Sequence, residues 1–314
     1  RYEIMKRHLL IAEFLSTPWA LMPERIHAAA GVLHRWASGQ SPDAAVLARI
    51  AADREARDNR RQANGRAVTG SIAVLPLYGI LTQRGNMMDD ISGPGSTSTQ
   101  LFAQAFREAM TDDTVGAILI DIDSPGGSVY GTSELAAEIL QARNSKPICA
   151  IANSLAASAA YWIGSTASEL YVTPGGEVGS IGVYQIHTDN SRMLDQEGVT
   201  PTLISAGKYK TEGNPFQPLD DEALSFMQSR VDDYYDAFVR GVAKARNVPV
   251  AQVRDGMGQG RCLGASAALA AQMVDGICTF DELVSRMQKQ IKASRASAPA
   301  SRRASAMREL QLLG

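Results

Sequence analysis

The sequence is poor in the residues that build extracellular or metal-stapled proteins. There are only three cysteines in 314 residues. Cys149, Cys262 and Cys278 are far apart and form no C-x-x-C pair, which argues against a disulfide framework and against a thiolate zinc site. They read as small buried residues of a chain in a reducing compartment. Long apolar runs are also missing. Spanning a bilayer takes about 18 consecutive apolar residues. The most apolar N-terminal stretch, Leu9 to Met22, is broken by Glu13 and Pro18, so neither a signal peptide nor a membrane anchor is expected there. Charge of one sign is lacking too. The formal net charge of -2 supplies no basic field to hold nucleic acid. Histidine is scarce: His8, His27 and His34 fall near the N-terminus, and only His187 lies in the centre.

What remains is ordinary globular composition, with 45% hydrophobic and 20% charged residues, enough for a sizeable core. Three regions are expected: a helical N-terminal extension over 1–65, a main domain over 66–292, and a flexible tail over 293–314. Apolar positions recur at helical spacing from Ile26 through Leu33 and Trp36. Residues 293–308, mostly Ala, Ser and Arg, cannot bury a core. In the main domain, Ile72 to Leu81 reads as a bent strand or strand pair punctuated by Pro76 and Gly79. Residues 85–99 read as a loop. Val115 to Ile122 reads as a strand buried on both faces. Helices are expected at Leu101 to Met110, Thr132 to Arg143, Ala157 to Ser165 and 219–247. Further strands are expected at Pro147 to Ala152 and Leu170 to Thr173. This alternation predicts an α/β fold with largely parallel pairing and right-handed crossovers.

Four short patterns carry chemistry. The first is Asp123-Ser124-Pro125-Gly126-Gly127-Ser128, directly after the buried strand. Pro125 forces a turn, and two glycines let backbone N–H groups face a cleft with no side chain in the way. A developing oxyanion needs such donors. The second is Ala157-Ser158-Ala159-Ala160, at the next strand-to-helix junction, where small residues leave a hydroxyl approachable. The Ala159 N–H lies beside it. The third is Gly179-Ser180-Ile181-Gly182. The fourth is Gly207-Lys208-Tyr209-Lys210. A lysine acts as a base only when burial disfavours its charged form. Taken singly, each pattern has an ordinary structural explanation as a turn, a packing serine, a close strand approach or a surface lysine.

In that order, together with Gly260-Arg261-Cys262-Leu263 and the following Ala-rich stretch, the patterns resemble the signal peptide peptidase A family of serine proteases over about residues 70–290. The resemblance implies a Clp-protease/crotonase-like fold of repeated ββα units. It implies Ser158 as nucleophile and Lys210 as general base, with Lys208 the weaker choice. Oxyanion donors would be Gly127, with Gly126, and Ala159, and Ser180 would orient the lysine. One departure is that alanines, not glycines, follow the serine. The resemblance implies no metal, nucleotide or other cofactor. It implies a homo-oligomer in which Lys210 could serve a neighbouring copy. The pattern Leu15 to Glu24 looks like phage head-maturation proteases of the family. That implies scaffold, capsid or portal proteins as substrates, and a place in the host cytoplasm or procapsid. Four alternatives stay open: a His187 and Asp189 triad with Ser158, a signal-peptide-degrading peptidase, a crotonase-like acyl-CoA enzyme, and an inactive structural head protein.

Overall fold

The computed structural model describes residues 11–12, 15–24, 26, 30–31, 67–69, 71–84 and 96–297. Its centre is set by one stretch of sequence. In β6 (Ala117–Ser124) side chains alternate between two apolar layers. Ile118, Ile120 and Ile122 enter one core cluster, and Ala117 and Leu119 enter another. A strand apolar at consecutive positions must be covered on both faces, and this one is.

β3 (Ile72–Tyr78) and β8 (Ile148–Ala157) flank β6, both parallel to it. β8 changes neighbour along its other edge. Its first half pairs with β9 (Glu169–Val172), and its end pairs with β10 (Glu177–Gly179), both parallel. β2 (Ala67–Thr69) closes one side antiparallel to β3, and β11 (Cys262–Gly264) closes the other antiparallel to β10. β12 (Gly276–Ile277) adds to β9. The mainly parallel α/β sheet matches the expected class.

One face is covered by α1 (Thr99–Thr111), α2 (Thr132–Ala142), α3 (Ala159–Ser165) and α5 (Asp221–Arg246). The other is covered by α8 (Phe280–Ser297), whose Leu283, Met287 and Ile291 meet Ile72, Leu119 and Ile151. Shorter helices are α4 (Ser191–Gln196), α6 (Val250–Gly256) and α7 (Ala265–Ala270). α5 starts where its sequence says it should. Asp220 caps it through the Ala223 N–H, at 2.8 Å, and Asp221 and Glu222 sit at the positive end of its dipole. At its far end, Arg246 donates to both carboxylate oxygens of Asp275, at 2.7 and 2.9 Å. Trp162 of α3 stacks on Phe238 of α5, with ring centroids 4.8 Å apart.

Gly79, with φ 68°, divides the stretch read as a bent strand or strand pair into β3 and β4 (Ile80–Thr82), in keeping with the second of those readings. Three findings go beyond the sequence reading. Within the stretch read as loop, Ser96–Ser98 forms β5 and pairs with β4, while 85–95 lie outside the described residues. Trp19–Leu21, in the region read as helical, is a strand, β1. It pairs antiparallel with β7 (Gly126–Ser128), giving a second sheet of order β1-β7-β4-β5. Helix α8 also runs to Ser297, past the expected boundary at 292. Most of the proposed N-terminal extension, residues 32–65, and the tail from 298 lie outside the described residues.

Candidate active site

Every feature of the first three sequence patterns lies at the carboxyl end of a parallel strand, where open α/β sheets place their ligands. After β6 the chain turns through Pro125 into β7. The turn is pinned by Ser124, whose buried hydroxyl donates to the Gly79 carbonyl at 2.6 Å and accepts the Gly126 N–H at 3.2 Å. The Gly126 N–H is thus occupied by Ser124. Gly126 has φ 100°, and a Cβ there would overlap the Ala20 carbonyl oxygen and stand 2.9 Å from the Cβ of Ser158. Only glycine satisfies both the dihedral and the contact.

Ser158 ends β8 and precedes α3. Its φ of 55° and ψ of −122° are a conformation that L-residues rarely adopt, worth about 1–3 kcal/mol of strain. Its neighbours hold it there. The Ser158 N–H donates to the Gly179 carbonyl at 2.6 Å, and its own carbonyl accepts the Trp162 N–H at 2.9 Å. The side chain is 1% exposed, and its hydroxyl has no hydrogen-bond partner among the described residues. A buried hydroxyl without a partner costs free energy, so both the backbone and the side chain of Ser158 are kept at a cost. Ala159 is the first residue of α3, where backbone N–H groups have no partner within the helix. Ser180 is buried, follows Gly179, has φ 52°, and donates its N–H to the Arg261 carbonyl at 2.9 Å.

The structure therefore brings together Ser158, Gly126, Gly127, Ala159 and Ser180. It does not bring Lys210 to Ser158 within one chain. Lys210 is exposed, in the loop before α5, where its N–H donates to the Gly207 carbonyl at 3.1 Å. Lys208, the other candidate base, pairs with Glu222 at 2.8 Å and with the Tyr209 hydroxyl at 2.9 Å. Those hydrogen bonds push its pKa further up, away from a base. The His187 triad finds no support. His187 Nε2 is bonded to the Asn214 carbonyl at 3.1 Å, and Asp189 accepts the Ser191 N–H at 2.9 Å. That backbone bond lowers the Asp189 pKa. Burial pushes the Cys149 thiol up to about 12, so it is an inert packing group.

Sequence reasoning missed Ser124, Ala20 and Tyr184 as neighbours of the site. Ser124 sits inside a quoted motif, yet nothing in its type tells a turn-pinning hydroxyl from an exposed one. Ala20 and Tyr184 enter through β1, whose three residues are too short to give a period.

A strained, unpartnered serine at a strand-to-helix junction of an α/β sheet, facing a Pro-Gly-Gly turn, is an arrangement that a nucleophilic serine could use. Residues 141–294 match peptidase family S49, and the chain belongs to that family. It is similar to capsid assembly protease C of Escherichia phage lambda, with 32% identity over 75% of this chain and 53% of the relative. It is similar to head-tail preconnector protein GP5 of Enterobacteria phage P21, with 38% identity over 59% of this chain and 36% of the relative. Protease 4 of Salmonella typhi is 30% identical over 71% of this chain and 35% of the relative. The chain spans about half or less of the length of these relatives. Among the described residues, no helix is long and apolar enough to cross a membrane.

Proposed function

We propose that this chain is a serine endopeptidase in which Ser158 is the nucleophile and Lys210 of a neighbouring copy is the general base. The observation that carries the reading is the Ser158 hydroxyl, buried and unpartnered on a strained residue beside the Gly126-Gly127 turn. With the Gly126 N–H held by Ser124, Gly127 and Ala159 are the donors left for an oxyanion in this reading, and Ser180 would orient the amine.

The second half of the dyad comes from outside the chain in this reading. The Lys210 loop and the start of α5 expose Leu203, Ile204, Tyr209, Leu224 and Phe226, with Ile204 94% exposed. Large apolar side chains left exposed over two adjoining segments suit a contact. Docking of this loop over the Ser158 site of a second copy would bury both the apolar groups and the ammonium, and burial is what makes a lysine neutral enough to accept a proton. The substrates we propose are phage capsid-assembly proteins, in the host cytoplasm or procapsid, from the names of the two phage relatives.

Complementation tests the dyad and its sharing together. Ser158→Ala and Lys210→Ala are each expected to be inactive on casein and to regain activity when mixed. Full activity of either variant alone rejects the dyad. Two inactive variants that stay inactive when mixed, although they assemble, place the lysine on its own chain.

A further inference from the structure

The main chain of Leu15 to Met22 lies in a slot between two stretches of the protease core. On one side it pairs antiparallel with β7, with Trp19 opposite Ser128, Ala20 opposite Gly127 and Leu21 opposite Gly126. The Met22 N–H donates to the Pro125 carbonyl at 3.0 Å, and the Val129 N–H to the Pro18 carbonyl at 3.4 Å. On the other side Trp19 and Tyr184 exchange two backbone hydrogen bonds, at 2.9 and 3.0 Å. The Ile186 N–H and the Gln185 amide reach the carbonyls of Leu15 and Ser16, at 3.3 and 2.5 Å. An extended segment bonded along both edges is held as a strand-adding peptide is held.

The register singles out one peptide bond. In an antiparallel ladder, bonded pairs alternate with unbonded ones. Bonds at 18/129 and 22/125 make 20/127 a bonded pair, so the Gly127 N–H points at the Ala20 carbonyl oxygen. That oxygen and the Ser158 Cβ stand close to one point beside Gly126: a single added methyl there would overlap the first and stand 2.9 Å from the second. The Ser158 hydroxyl is buried and has no partner among the described residues. Ala20 is fully buried in the main core, whereas Trp19 and Leu21 pack on Leu15, Ile26 and Ile80 in a separate cluster. The position facing the serine therefore admits a small side chain, and alanine fills it.

We infer that this segment is a substrate supplied by the chain itself, and that the Ala20–Leu21 bond is a self-processing site. The inference rests on the serine peptidase reading. The Ser158 oxygen bonds to the Ala20 carbonyl carbon. Its proton passes to the neutral Lys210 amine of a second copy, and then to the Leu21 nitrogen as the Ala20–Leu21 bond breaks. Water, deprotonated by the same amine, attacks the ester, freeing an Ala20 carboxylate and restoring the Ser158 hydroxyl. Until that cut the slot is filled, so hydrolysis of other proteins follows it.

The test is incubation of the full chain with casein, at a concentration where it assembles, followed by N-terminal sequencing. A new terminus reading Leu-Met-Pro is expected, with casein hydrolysis rising after a lag that tracks it. Ser158→Ala and Lys210→Ala are both expected to lose the new terminus. Because Lys210 is exposed, the second variant tests the chemistry without disturbing the core. Casein hydrolysis with no Leu21 terminus overturns the inference and leaves the peptidase reading standing. A Leu21 terminus that persists in both variants overturns it as the work of another protease. Neither activity in the assembled wild type overturns both.

Discussion

Gly126 and Ser158 touch across the site: a Cβ on the glycine would come within 2.9 Å of the serine Cβ. The two residues belong to different strand ends, and each has a positive φ, 100° for Gly126 and 55° for Ser158, which only glycine adopts freely. The contact fixes how the Pro-Gly-Gly turn faces the nucleophile.

Gly126→Ala is therefore expected to disable the site. The left-handed backbone alone costs a non-glycine residue roughly 1–2 kcal/mol. The methyl must also displace either the Ala20 carbonyl or Ser158. Moving β7 misaims the Gly127 N–H, and a lost oxyanion donor lowers turnover about 10²–10³-fold. Steady-state kinetics and a melting curve check this. A variant that keeps wild-type kcat would show that the contact is incidental.

Gly241→Ala sets two effects against each other. Alanine is the better helix former by about 1 kcal/mol. Its methyl, however, would overlap the indole nitrogen of Trp162, and overpacking in a core costs roughly 1–3 kcal/mol. The ring is already fixed by its stack on Phe238, so repulsion is expected to win and the urea midpoint to fall. A midpoint that rises would mean the indole can slide aside.

Asp121 supplies a pH signature. It is a buried carboxyl on β6, and burial raises its pKa; the Tyr78 hydroxyl and Asn153 pull it back, and the nearby Asp123 charge pushes it up again. A folded pKa above the unfolded one, about 3.9, means its contribution to stability is complete below that value. The contribution is lost as pH climbs through the folded pKa. Asp121→Asn keeps an acceptor for the Tyr78 hydroxyl and removes the titration. Its stability relative to wild type should thus improve from pH 4 upward. Urea midpoints that stay parallel between pH 4 and 7 would contradict this.

Much of the frame was legible because single residues announce it. The run Val115 to Ile122 demanded cover on both faces, residues 219–247 read as one helix, and Pro125 marked the turn below the sheet end. The proposed serine, glycine and alanine positions of the site came from the resemblance that the ordered motifs carry. What stayed hidden depends on partners remote in sequence. Trp19–Leu21 has no period of its own and becomes a strand only because Gly126–Ser128 offers it an edge. The strain at Ser158 follows from a hydrogen bond to Gly179, which no local pattern encodes. Lys210 carries no mark of its exposure, since burial of a loop lysine is decided by whatever docks on it. Helix α8 outran its boundary because Ala, Ser and Arg after Lys292 tolerate a helix without providing a core.

The space between Pro125–Val129 and Tyr184 is one polypeptide wide, and it grips by amide and carbonyl groups that every residue owns. Whatever enters must first give up its own helices and sheets. If the proposed reading holds, such an opening sorts substrates by how readily they unravel, so tails and linkers would be taken while finished domains are spared.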